Sequence, residues 1–229
     1  MIKKLVAEGI GTYFLVFTVG MTVLEPGAGQ FAPIAIGLML AIGIYATGHV
    51  SGGHLNPAVT LGVFMRGKVT GRELVGYWIA QLIGAVVAVL GVLYLKGDVA
   101  PLAVPVPTLP ALLAEFLFTG ALVFVVLNVA TARGTEGNSY FGLAIGGTVT
   151  VGAFAVGNIS GGAFNPAVAV GLVLMNIVGA GSLWIYLVAN LAGGAVAAVI
   201  FNGFDFGGDK ATTATPAQQA DLRAAGTPQ

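Results

Sequence analysis

Residues 54–62 read HLNPAVTLG and residues 163–171 read AFNPAVAVG. Each opens a short apolar stretch, 57–66 and 166–176, at an Asn-Pro pair. Asparagine is a favoured N-cap because its side-chain oxygen accepts from the first free amides of a helix. Proline suits the first helical position, where no amide hydrogen is needed. Asn56, Pro57 and Ala58, and likewise Asn165, Pro166 and Ala167, therefore predict two helix starts. A helix of about ten residues covers only half of the ~30 Å hydrocarbon layer of a membrane. The glycine pairs in front of the two starts, Gly52-Gly53 and Gly161-Gly162, allow backbone conformations closed to branched residues.

The rest of the chain supplies the membrane. Of 229 residues, 57% are hydrophobic and only 8% charged, against roughly 25% charged in soluble domains. Mean hydropathy is +0.95. Nine basic residues balance nine acidic ones, which excludes a nucleic-acid binder, and the absence of cysteine excludes disulfides and thiolate metal sites. With only His49 and His54, no metal cluster or nucleophile–base pair can be assembled, so no enzyme and no cofactor are expected. Spans are predicted at 4–24, 32–50, 73–95, 110–131, 139–157 and 180–202. The predicted fold is an all-α membrane protein with six transmembrane helices and two re-entrant half-helices. Residues 1–202 form the channel domain, and 203–229 are expected to be a disordered cytoplasmic tail.

The two halves repeat. Ala7-Glu8, Thr12 and Leu15-Val16-Phe17 recur in the second half as Ala114-Glu115, Thr119 and Leu122-Val123-Phe124. Ser51-Gly52-Gly53 and Asn56-Pro57-Ala58-Val59 recur as Ser160-Gly161-Gly162 and Asn165-Pro166-Ala167-Val168. Tyr77, Ala80, Leu82 and Gly84 recur, in the same order, at Tyr186, Ala189, Leu191 and Gly193. The repeats cover about 3–95 and 110–202, with three spans each. An odd number of spans turns the second half upside down, and inverted repeats place their site near the midplane. The half-helices must then enter from opposite faces and meet at their N-termini. For orientation, Lys3, Lys4, Arg66, Lys68, Arg72, Arg133, Lys210 and Arg223 fall on one side and Lys96 alone on the other. Both termini are thus expected in the cytoplasm.

That meeting has chemical consequences. Irregular backbone at membrane depth survives only where protein buries it or where it lines a wet cavity. Carbonyls of Gly53, His54, Gly161, Gly162, Ala163 and Phe164 are therefore expected along a pore. Two helix N-termini put the positive ends of two dipoles, each about half a charge, at its centre, where a cation is repelled. If the Asn56 and Asn165 oxygens cap their helices, their NH₂ groups are left to bind the oxygen of water or a neutral hydroxylated solute. Glu8 and Glu115, costly inside a membrane, are expected to hold the re-entrant loops in place through amide hydrogen bonds. His54 is expected to bond to Glu8 or a backbone carbonyl, and His49 to lie at the cytoplasmic end. Recurrent glycines such as Gly37, Gly84, Gly146 and Gly193 read as close helix crossings. Trp78, Trp184, Tyr77, Tyr94 and Tyr186 read as packing or interfacial anchors.

The paired Asn-Pro-Ala boxes, the spans and the Ala-Glu-x-x-x-Thr opening of each half closely resemble the aquaporin/glycerol-facilitator (major intrinsic protein) family, from about residue 3 to 202. The resemblance implies a right-handed bundle assembled as a homotetramer in the cell (inner or plasma) membrane, each protomer passing water or small neutral solutes down a gradient. It also carries over the family's selectivity filter, at Ile36, Ala153, Gly162 and Val168. Nearly all relatives have arginine at the place of Val168, and valine removes its charge and its five donors. In this the chain resembles a few bacterial, arsenic-linked members. The implied pore is wide and apolar, admitting water, glycerol and arsenite-like hydroxylated molecules. An orthodox water-selective channel, an ion-coupled secondary transporter and a non-conducting structural protein stand as alternatives.

Overall fold

The computed structural model describes residues 1–97 and 105–208. Six long helices are apolar enough to cross a membrane. They are α1 (Ile2–Val23), α2 (Ala32–Ser51), α4 (Gly71–Lys96), α5 (Thr108–Thr131), α6 (Phe141–Ser160) and α8 (Leu183–Gly203). Two short helices, α3 (Pro57–Met65) and α7 (Pro166–Leu174), have nine residues each. The architecture is the all-helical inverted repeat expected from the sequence.

Each long helix is apolar on its outer side and small or polar on its inner side. On α1, Ile2, Val6, Ile10 and Phe14 are exposed at four-residue spacing, while Ala7, Glu8, Gly11, Thr12 and Leu15 are buried. Leu109, Leu113 and Leu117 form the same outward stripe on α5. Water would penalise such stripes, whereas lipid does not.

The packing obeys the repeat. Helix α1 lies against α4, as α5 lies against α8, and α2 crosses α6 between the halves. That crossing is close because its residues lack side chains. A Cβ on Gly146 would strike the Gly37 carbonyl oxygen, and one on Gly37 would lie 2.5 Å from the Gly146 oxygen. The half-helices interlock the repeats further, with α3 seated against α8 and α7 against α4. Neither half can bury its short helix alone.

The structure sharpens two expectations. Of the two roles open to the aromatic residues, Tyr77 and Tyr186 take packing, since both are fully buried, while Tyr94 and Trp184 are exposed. The boundary of the tail shifts as well: Gly203 still belongs to α8, and residues 204–207 turn back onto the bundle. There the Phe206 ring packs edge-on against Phe124, 5.3 Å between centroids, and the Arg133 amide donates to the Gly207 carbonyl at 3.1 Å. The remainder of the expected tail, with Lys210 and Arg223, lies outside the described residues.

Candidate functional site

The site begins with the two caps. Asn56 has an extended backbone (φ −158°), and its Oδ1 accepts from the Ala58 amide at 2.8 Å. Asn165 has φ −160°, and its Oδ1 accepts from Ala167 at 2.9 Å and from Val168 at 3.4 Å. The amide nitrogens then cross the repeat axis. Asn56 Nδ2 donates to the Phe164 carbonyl and Asn165 Nδ2 to the Leu55 carbonyl, each at 2.9 Å. The NH₂ groups are therefore only half free. Each carries two hydrogens, one tying the opposite repeat and one left over. By the same bond the Phe164 carbonyl, expected to face the pore, gives one of its two lone pairs to Asn56.

Those carbonyls reach across because their residues have left-handed backbones, with φ +50° at Leu55 and +47° at Phe164. For residues with side chains this costs on the order of 1–3 kcal/mol each. The buried glutamates hold the conformation. Glu8 accepts from the Ser51 hydroxyl (2.6 Å), the His54 amide (2.9 Å), the Leu55 amide (2.7 Å) and Gln81 Nε2 (2.8 Å). Glu115 accepts from the Ser160 hydroxyl (2.7 Å), the Ala163 amide (2.9 Å) and the Phe164 amide (2.7 Å). Asn190 completes that set: with its nitrogen toward the carboxylate, it donates to Glu115 Oε2 and Thr119 Oγ1 at 3.0 Å and accepts from the Asn165 amide at 2.9 Å. A carboxylate can only accept, which fixes the orientation. The hydroxyl of Tyr77 donates to the Ser51 carbonyl at 2.7 Å, and that of Tyr186 to the Ser160 carbonyl.

Gln81, Asn190, Ser51, Ser160, Tyr77 and Tyr186 thus belong to the scaffold, though sequence reasoning gives them no such role. The signal is present: the members of each pair fall at matching places of the two repeats, and Gln81 and Asn190 are both carboxamides. His54 also differs from expectation. It is its main-chain amide that meets Glu8, whereas its ring Nδ1 lies 3.2 Å from Thr60 Oγ1.

Two cavities approach this centre from opposite ends. The one on the side that the loop charges predict to be outer, about 360 Å³, is lined by Ile36, Ala153, Gly162 and Val168, with Asn56 and Asn165 also in its wall. Most of its remaining wall is aliphatic. Val168 is the repeat counterpart of Val59, and both line it. Gly161, Ala163 and Phe164 line this cavity too. The other, on the side predicted to be inner, is about 880 Å³ and opens among Lys4, His49, Lys68, Arg133 and Glu136. The α-carbon of Gly53 packs against α2, and Gly52 (φ +93°) lines the inner cavity. Among the described residues, His54 alone lines both cavities.

Comparison with known proteins agrees with this geometry. The family described as Major intrinsic protein matches residues 1–201. Nodulin-26 of Glycine max is 36% identical over 211 residues, covering 88% of this chain and 77% of that protein. Aquaporin NIP1-1 of Zea mays is 35% identical over 212 residues, covering 88% and 74%. Among solved structures, the aquaglyceroporin from Plasmodium falciparum superposes with a TM-score of 0.73, covering 96% of this chain and 99% of its own, at 21% identity. At that identity the likeness speaks for the fold.

Proposed function

The chain belongs to the major intrinsic protein family, and from that premise we propose that it passes water and small neutral solutes passively through a wide filter without arginine. As a member of that family it is a multi-pass membrane channel and not an enzyme. The observation that carries the wide-filter reading is that Ile36, Ala153, Gly162 and Val168 all line one cavity above the asparagine pair. None of the four side chains can donate a hydrogen bond or carry charge. Solutes are therefore selected at this level by size and neutrality, and are first bound by the spare amide hydrogens of Asn56 and Asn165. Glycerol and arsenite, a neutral trihydroxide at neutral pH, fit that description.

Cation exclusion falls to the centre, where the N-termini of α3 and α7 meet. The proposal includes a homotetramer in the plasma membrane with cytoplasmic termini. Lys4, Lys68 and Arg133 at the inner mouth support that orientation. So does Lys96 at the far end, where it donates to the Leu24 carbonyl at 2.7 Å.

The test is shrinkage of proteoliposomes against water, glycerol, urea and arsenite, for the parent and Val168→Arg. The arginine variant is expected to keep water flux and lose the larger solutes. Equal exclusion of glycerol and arsenite by both proteins overturns the wide-filter reading.

A further inference from the structure

Two polar residues close to the centre of the first repeat are alanines in the second. His54 and Thr60 of the first half correspond to Ala163 and Ala169 of the second. Both halves bury a glutamate with its carboxamide, but only the first half adds a histidine–threonine pair beside it. Thr60 Oγ1 lies 2.9 Å from the Asn56 carbonyl oxygen, 3.0 Å from Gln81 Nε2 and 3.2 Å from His54 Nδ1. Thr60 and Gln81 are fully buried, so bulk water does not compete for these contacts.

A hydroxyl has one hydrogen to give and two lone pairs. Gln81 Nε2 also contacts Glu8 Oε2 at 2.8 Å, an acceptor, so this atom is the amide nitrogen and it donates to Thr60 as well. The Asn56 carbonyl can only accept, and it is nearer than the imidazole, so it takes the hydroxyl hydrogen. One lone pair of Thr60 remains for His54, whose Nδ1 must then carry a hydrogen. In a neutral imidazole the other nitrogen, Nε2, is left as an acceptor.

The ring is held in place, with Tyr77 packed edge-on at 5.2 Å. With Nδ1 turned to Thr60, the Nε2 edge is what the ring offers to the two cavities it lines. Space beside that edge is kept by a glycine, since a Cβ on Gly52 would sit 3.0 Å from Nε2. We infer that Thr60 and Gln81 are positioning residues that lock His54 as the Nδ1–H tautomer, so that Nε2 accepts a hydrogen bond from a hydroxylated solute in the throat. The inference rests on the channel reading above and narrows its solute class. A passing molecule meets donors at Asn56 and Asn165 and then an acceptor one step inward. A hydroxyl satisfies both in turn, whereas an ether or ketone of equal size satisfies only the first.

The test is solid-state NMR of ¹⁵N-histidine-labelled protein in lipid bilayers, with His49→Gln leaving His54 as the single histidine. The expected spectrum has the proton on Nδ1 and a bare Nε2. Thr60→Val places methyl groups beside Nδ1, moves the proton to Nε2 and lowers the glycerol-to-water flux ratio about fivefold, the size of one lost net hydrogen bond. Thr60→Ser restores both. A proton on Nε2 in the parent, or a Thr60→Val spectrum identical to it, overturns the inference. Parent vesicles that pass solutes while Nε2 is protonated defeat this inference alone. Parent vesicles that pass none defeat the channel reading on which it stands.

Discussion

Gln81 and Asn190 occupy the same position of the two repeats, and each donates an amide hydrogen to its half's buried glutamate, at 2.8 Å to Glu8 and 3.0 Å to Glu115. Their oxygens have different fates. That of Asn190 accepts from the Asn165 amide at 2.9 Å, while Gln81 Oε1 is buried without a partner.

Removing the two carboxamides should therefore have unequal cost. Asn190→Leu strands the Asn165 amide and one Glu115 lone pair, which costs about 2–3 kcal/mol, and Gln81→Leu costs about 1 kcal/mol less. Thermal unfolding of the purified protein in detergent or lipid checks this. Equal melting temperatures for the two variants would count against the assigned Asn190 contacts.

The glutamates hold strained backbone, and a neutral isostere cannot replace them. In Glu8→Gln or Glu115→Gln the new NH₂ faces N–H donors from residues 54–55 or 163–164. Each exchange is expected to destabilise the protein by about 2–3 kcal/mol. The drop should appear as a lower melting temperature and faster amide exchange confined to the affected re-entrant loop. A melting temperature unchanged in both variants would remove the scaffold role.

The crossing of α2 and α6 gives a third expectation. Gly146→Val drives a side chain into the Gly37 carbonyl and is expected to cost about 3 kcal/mol or more. Gly147→Val, whose added Cβ meets nothing within 4 Å, is the control and should melt with the parent.

At the centre, Asn165→Asp keeps an oxygen to cap α7 but loses the hydrogen given to the Leu55 carbonyl. It also places a negative charge against two dipole ends worth about half a charge each. Cation current across planar bilayers should rise from the background level of the parent. A current indistinguishable from the parent would show that those dipoles are not what excludes cations.

Much of the fold is legible in the residues. A span needs an apolar run of fixed length, so the sequence predicts a span at 73–95 where α4 runs Gly71–Lys96. An Asn-Pro pair before ten apolar residues has few other uses, which places the starts of α3 and α7 at Pro57 and Pro166. The features that escape the sequence depend on direction in space. Hydropathy cannot tell the buried Tyr77 from the exposed Tyr94. The capping rule accounts for an asparagine's oxygen and is silent on its nitrogen, so it does not foresee the bonds from Asn56 to Phe164 and from Asn165 to Leu55. A repeat sought by identical letters passes over Gln81 and Asn190, which share a function but not a name.

The central claim is a wet passage between the helix starts at Asn56 and Asn165 that admits neutral solutes and refuses cations. Its most direct measurement is stopped-flow osmotic flux and ionic conductance on the same proteoliposome preparation. The account predicts water and glycerol permeabilities well above protein-free vesicles, linear in solute concentration, with no cation current and no dependence on a proton or sodium gradient. Permeability equal to empty vesicles, or a saturable flux that collapses with the ion gradient, would contradict it.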